Sequence, residues 1–242
     1  MSTTVTEVAA DVFRICTFAP DFGIQFVQFL VRDDEPFLMH TGFRRTFPDV
    51  HAAVATVLDP ARLRWIGFSH FESDECGALN DWLTVAPQAT AVCSIVAARV
   101  SVADFALRPP RALADDERLS LGRRRLRFLQ TQHVPHSWDA GLFFEETDAT
   151  LFCSDLFFHP GDPVPCTQAD VVGPARAAIL DNLTGPMSQD VCYTPHTGAT
   201  FARLAELRPR TLALMHGSTH EGDGGSALQA LAGVIRDAVG RP

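Results

Sequence analysis

Positive charge is in short supply in this sequence. Lys and Arg number 20 against 29 Asp and Glu, and the formal charge of −9 excludes nucleic acid or an anionic membrane as the main partner, because either needs a basic face. The one dense basic run, Gly122 to Arg127, alternates into an apolar segment and reads as the solvated face of a strand. Long apolar runs are missing too, since none approaches the roughly 18 residues that a membrane span requires. The opening M-S-T-T-V-T-E-V-A-A-D has no basic start followed by an apolar block. Neither a signal peptide nor a membrane partner is therefore expected, and the expected location is the cytoplasm. No C-x-x-C or zinc-finger spacing occurs among Cys16, Cys76, Cys93, Cys153, Cys166 and Cys192. In a reducing compartment they read as small buried hydrophobes rather than disulfides or ligands. Cys76 and Cys153, beside candidate ligands, are expected to be sensitive to oxidation.

Internal repeats and low-complexity linkers are also absent. A chain of 242 residues, 46% hydrophobic and 20% charged, has the make-up of an ordinary globular protein, and residues 1–242 are expected to form a single domain. Alternating residues from Val5 onward and the run Ile24 to Val31 predict strands, followed by a short apolar run at Pro36 to His40. A helix is predicted from Asp49 to Leu58, with Pro48 near its first turn and Asp59-Pro60 stopping it. Arg64 to Phe68 reads as a buried strand and Leu79 to Leu83 as a helix. Thr90 to Ile95 reads as strand and Val96 to Leu107 as helix, ended by Pro109-Pro110. Arg125 to Gln130 predicts a strand, and Gly141 to Glu146 with Ala149 to Cys153 predicts a hairpin. Ala169 to Leu183 reads as helix with an interruption at Gly173-Pro174. The rest reads as helix from Gly198 to Leu207, strand from Thr211 to Met215 and helix from Ser226 to Ala238. Hairpins early and midway require antiparallel pairing, so the fold class is α/β with two mixed sheets between helices, not a doubly wound parallel sheet.

The strand Arg64 to Phe68 runs into Ser69-His70-Phe71-Glu72-Ser73-Asp74-Glu75. Emerging in extended form, it is expected to point His70, Glu72 and Asp74 the same way, which starts a metal site. Alone, such a stretch is more often a solvated turn. Further polar clusters follow other strands, with His136 in Gln132 to Asp139, then Asp155, then His216. Six ligand-type residues on one rim suffice for two metal ions, with Asp155 placed to bridge. The carboxylate of Glu72 favours iron or manganese over zinc.

This pattern resembles the metallo-β-lactamase superfamily, and within it the di-iron branch typified by flavodiiron proteins and stand-alone oxygen-binding di-iron proteins. The hydrolases of that superfamily carry H-x-H-x-D-H and the di-iron branch H-x-E-x-D-H, where this chain has H-F-E-S-D-E. The resemblance extends through Cys76-Gly77-Ala78-Leu79, His136, Ser154-Asp155 and Met215-His216-Gly217, and the gaps between these motifs are similar to the branch's. It implies an αββα sandwich with one iron on His70, Glu72 and His136, a second on Asp74 and His216, and Asp155 between them. No catalytic residue is expected beyond the metal ligands. Two departures stand out. Glu75 occupies the place of a usual His, either ligating the second metal or turning away, and His40 occupies a place where the superfamily often has Asp. His133 rivals His136, whose gap fits better. His133, His159, Tyr193 and His196 are expected beside the ligands or along the substrate pocket.

The resemblance implies a non-haem di-iron protein that binds O2 or NO, and that reduces it when a separate electron-donor protein supplies electrons. A homodimer is expected by the same analogy. Flavodiiron proteins continue into a flavodoxin domain, whereas nothing here resembles a flavodoxin or rubredoxin module. The competing readings are a dinuclear zinc hydrolase of esters, thioesters or lactones, with loss of His at positions 72 and 75 against it, and a scaffold whose metal site is structural or empty.

Overall fold

A computed structural model describes residues 3–240, and among them lie two seven-stranded mixed sheets packed face to face with helices on both outer sides. The first sheet runs in sequence order through β1 (Thr3–Ala9), β2 (Val12–Ala19), β3 (Ile24–Val31), β4 (Phe37–Met39), β5 (Trp65–Gly67), β6 (Thr90–Ser94) and β7 (Arg111–Leu113). Hairpin connections make β1 to β4 antiparallel, and longer crossovers make β4 to β7 parallel. The second contains β8 (Arg118–Ser120), β9 (Arg125–Gln130), β10 (Gly141–Glu145), β11 (Thr150–Ser154), β12 (Cys166–Thr167), β13 (Thr211–Leu214) and β14 (Thr219–Glu221), in the order β12-β14-β13-β11-β10-β9-β8. This is the αββα sandwich.

Strands buried on both faces read as near-continuous apolar runs, and the alternation within them sorts side chains between two cores. From β3, Val27, Phe29 and Val31 enter the space between the sheets, where they join Phe37, Trp65, Phe128, Phe143 and Phe152. Leu30 points the other way, under the helices Phe47–Ala55 and Leu79–Val85. On the far side, Leu129, Leu142 and Leu151 pack beneath the helices Val172–Asn182, Thr197–Glu206 and Gly224–Val239. No helix among the described residues is long and apolar enough to cross a membrane.

Three local expectations are corrected. Gly173-Pro174 does not interrupt its helix, because both residues lie in the first turn of Val172–Asn182, where proline's missing N–H costs nothing. The segment after β6 is helical from Ile95 to Phe105, but its centre, Ala98–Val102, is wound as a π-helix. The motif after β5 is not extended throughout: Glu72 is extended (φ −128°, ψ 159°), and Ser73–Cys76 then forms a helical turn.

Candidate metal centre

Four chain segments leaving β5, β9, β11 and β13 converge on one rim of the sandwich. From the first, His70 is fully buried, and its Nε2 lies 3.6 Å from Glu72 Oε1. The loop after β9 brings His136 Nε2 to 2.9 Å from His70 Nε2 and 3.3 Å from Glu72 Oε1. The end of β13 delivers His216, whose Nε2 is 3.6 Å from Asp74 Oδ2. Asp155, just past β11, spans the two groups. Its Oδ2 is 3.5 Å from both His70 Nε2 and His136 Nε2, and its Oδ1 is 3.0 Å from His216 Nε2. All six sequence-predicted ligands are thus brought together. Asp74 arrives through the helical turn rather than through an extended repeat of two.

The backbone is bent to achieve this. Ser154 has φ 52°, at an irregularity in the β11–β13 register, and the turn aims Asp155 into the rim while the Ser154 hydroxyl donates back to Glu75. His40, His133, Ser137 and Phe157 around the same rim also have positive φ, a clustering typical of functional sites. Gly217, following His216, has φ 142°, and its α-carbon sits against the His159 ring where no side chain fits.

Residues without a sequence signature hold the rings. Gln25 presents its main-chain oxygen 2.7 Å from His216 Nδ1. Its side chain accepts from the buried Arg14 guanidinium at 2.5 Å, and Arg14 also donates to Gly217 O at 2.9 Å. Ser69 Oγ is 2.9 Å from His70 Nδ1. Asp139, buried, ties two ligand loops together by accepting from Phe71 N at 3.0 Å and Ser137 Oγ at 2.5 Å. With Nδ1 of His70 and of His216 occupied from behind, Nε2 of each is left free to face the centre.

Glu75 does not face the cluster from the Nε2 side. Its Oε2 accepts from the backbone N–H groups of Ser69 (2.7 Å) and His70 (2.8 Å), and its Oε1 lies 3.3 Å from His70 Nδ1. The other predicted neighbours scatter. His159 supports His216 from behind, its N–H donating to His216 O at 3.1 Å and its ring packed on Gly217. The His133 backbone N–H donates to Ser137 O at 2.7 Å, which shapes the loop that carries His136. Tyr193 packs against the outer core and His196 is exposed at the start of its helix; neither they nor His133 hydrogen-bond to a ligand-type residue among the described residues.

Acid and imidazole hold one another charged. Burial opposes the protonated form of His70, but Glu75, Glu72 and Asp155 outweigh it and push its pKa up to about 10. His216 is likewise raised to about 10, burial being overcome by Asp155 and Asp74. Hydrogen bonds from His136 and His70 lower Glu72 to about 2. Asp155 is held below the usual carboxylate range, where His216, His70 and His136 overcome its burial. Three imidazole nitrogens and three carboxylates in two groups, joined by one bridging acid, fit hard or borderline divalent ions.

Above the centre opens a cavity of about 1240 Å³. Glu72, Asp74, His136, Asp155 and His216 contribute to its polar part, and Phe22, Phe26, Phe43, Phe71, Phe105 and Phe158 to its apolar walls. Phe26 and Phe158 stand edge-on to His216, with centroids at 5.2 and 5.6 Å. Cys76 and Cys153, expected to be oxidation-sensitive, are buried at 2% and 0% exposure, and burial pushes both thiols up. Burial of this kind disfavours the thiolate, which is the reactive form, and argues against that expectation.

Known proteins carry the same arrangement of chain. Diflavin flavoprotein A 1 of Synechocystis is 26% identical over 186 residues, which cover 72% of this chain and 32% of that protein. Rubredoxin-oxygen oxidoreductase of Megalodesulfovibrio gigas is 24% identical over 147 residues, 60% of this chain and 36% of that one. The chain spans about a third of the length of these relatives. Among solved structures, the rubredoxin oxygen:oxidoreductase from Desulfovibrio gigas superposes with a TM-score of 0.80 at 19% identity, over 96% of this chain and 62% of that one, which establishes the shared fold. The model of the ODP family beta lactamase matches residues 24–165, a stretch that contains His70, Glu72, Asp74, His136 and Asp155, and the chain belongs to that family.

Proposed function

We propose that this chain is a non-haem di-iron protein, with one iron on His70, Glu72 and His136, a second on Asp74 and His216, and Asp155 bridging the pair. The observation that carries the reading is the division of the Asp155 carboxylate, one oxygen toward His70 and His136 and the other toward His216. Manganese and zinc accept the same donor types, but a carboxylate at position 72 favours iron or manganese. Iron bound there supplies one-electron chemistry to a diatomic ligand, which zinc does not.

The ligand class is O2 or NO, with reduction when a separate donor protein supplies electrons. The name of the Megalodesulfovibrio gigas relative, a rubredoxin-oxygen oxidoreductase, supports O2 as ligand and a separate electron donor. The residues around the centre suit the task. Phenylalanine side chains make up much of the cavity wall, and Glu72 and His136 line the same cavity, which leaves the centre open to a small apolar gas. In this reading residues 1–242 are one metal-binding domain, working as a homodimer with an external donor.

The test is metal analysis and optical spectroscopy on protein purified without oxygen and then exposed to air. About two irons per chain, with a new near-ultraviolet charge-transfer band on exposure, is the expected result. Two zincs and no optical change, when iron was abundant during expression, overturns it and points to a hydrolase of esters or lactones.

A further inference from the structure

Behind His70, on the side away from the cluster, lies a second imidazole whose position the metal ligands do not explain. His40 is 1% exposed, and neither of its ring nitrogens has a hydrogen-bond partner among the described residues. Its backbone stands at φ 65°, in the left-handed region, which His adopts more often than most residues but still uncommonly. A buried imidazole without a hydrogen bond, in so sparsely populated a region, persists only where the surroundings over-determine it. Here they do. His40 N donates to Gly67 O at 2.8 Å at the end of β5, and the next residue, Thr41, donates its N–H to Glu75 O at 2.6 Å. The His40 Nε2 is thereby fixed 3.4 Å from Glu75 Oε1.

Glu75 is equally buried, and all its contacts are with the framework of the centre. Its Oε2 takes the two backbone N–H groups, and its Oε1, besides the Ser154 hydroxyl, faces two imidazoles among the described residues, His70 at 3.3 Å and His40 at 3.4 Å. Position 40, where the superfamily often has Asp, and position 75, where the di-iron branch usually has His, are the two departures noted in the sequence, and the structure places them in contact.

We propose that His40 and Glu75 form one positioning pair for the metal centre. His40 closes the rear of the Glu75 carboxylate and confines it against His70 Nδ1. Glu75, at 3.3 Å, together with the Ser69 hydroxyl at 2.9 Å from the same nitrogen, then fixes the ring so that Nε2 faces Glu72, His136 and Asp155. A carboxylate behind a ligating imidazole also makes that imidazole a stronger donor. His216 has only a main-chain carbonyl in the same place, so the two metal positions are not equivalent. This inference rests on the di-iron reading.

The experiment titrates metal-free protein with ferrous iron under anaerobic conditions and measures affinity, the optical spectrum after oxidation and the reduction potential. It compares wild type, Glu75→Gln, His40→Asn and the double variant. Asparagine tolerates the positive φ at position 40, and glutamine keeps the shape of Glu75, so circular dichroism is expected to report a folded chain in each case. Glu75→Gln is expected to weaken one of the two irons about 10- to 100-fold and to raise the potential. His40→Asn shifts both in the same direction, and the double variant is no worse than Glu75→Gln alone. The exchange Glu75→His with His40→Asp restores one acid and one base, and it recovers at least part of the affinity that Glu75→His loses alone.

Wild-type iron binding that Glu75→Gln leaves unchanged overturns the pair while leaving the di-iron reading intact. So do penalties that multiply in the double variant, and an exchange that recovers nothing. Wild type that binds no iron overturns both.

Discussion

Asp155 Oδ1 lies 3.0 Å from His216 Nε2, while the other oxygen of the same carboxylate faces His70 and His136. One side chain therefore belongs to both halves of the cluster. Asp155→Asn keeps the shape but removes the charge and one acceptor oxygen. It is expected to take iron from about two per chain to one or fewer, a larger loss than the ~10- to 100-fold that follows removal of a partner behind a ligand. Metal analysis of the purified variant, with circular dichroism to confirm the fold, checks this; an unchanged count removes Asp155 from the bridge.

The pH behaviour of the metal-free protein follows from the raised imidazoles. His70 and His216 go from an ordinary value of 6.5 to about 10 in the fold. A folded value above the unfolded one stabilises the fold fully below about pH 6.5, and that contribution is lost as pH rises through about 10. The melting temperature of the metal-free protein is expected to fall between pH 7 and 10. Glu72, depressed from 4.5 to about 2, works in the opposite sense, with its contribution lost as pH falls from about 4.5 through 2. Metal on Nε2 must displace the protons, so binding near pH 7 is expected to release about one each from His70 and His216. Calorimetry in two buffers of different ionisation heat counts them. No release, and a melting temperature that stays flat to pH 10, contradict these charges.

How much of this was legible in the sequence depends on what kind of signal each feature leaves. β3 and β10 were readable because both faces are buried and the runs are long enough to show it, and β9 because Leu126 and Phe128 alternate with the more exposed Arg125 and Arg127. β7, β8, β12 and β14, with two or three residues each, are too short for any periodicity to appear. The candidate ligands were legible as polar residues after strands, and the structure gathers them on one rim, yet the extended repeat of two expected of His70, Glu72 and Asp74 does not hold, since Ser73–Cys76 is helical. Gln25 could not be found because it acts through its main-chain oxygen. His40 and Glu75 read as two separate departures, because a contact between positions so far apart in the chain leaves no local trace.

The thiols give a further check on the buried framework. Cys76, Cys93 and Cys153 are packed in the cores, and burial pushes Cys93 up to about 12. Cys166 and Cys192 are partly exposed. Alkylation of the native protein at pH 8 is therefore expected to label Cys166 and Cys192 first, and Cys76, Cys93 and Cys153 only after unfolding. Peptide mass spectrometry distinguishes the two sets, and early labelling of Cys76 or Cys153 restores them as oxidation-sensitive neighbours of the centre.

Gly217 links the backbone behind the centre to the ring that supports it. At φ 142° a side chain is strained, and a β-carbon there would collide with the His159 ring, while the His159 backbone N–H holds His216 O at 3.1 Å. Gly217→Ala is expected to cost about 1–3 kcal/mol in stability and to weaken metal binding, because the displaced His159 lets go of His216. The two causes separate in a double variant. If the collision dominates, Gly217→Ala costs less in a His159→Ala background than in wild type, since the obstructing ring is gone. If backbone strain alone is responsible, denaturant melts give the same penalty in both backgrounds, and the His159 ring is then not what excludes a side chain at position 217.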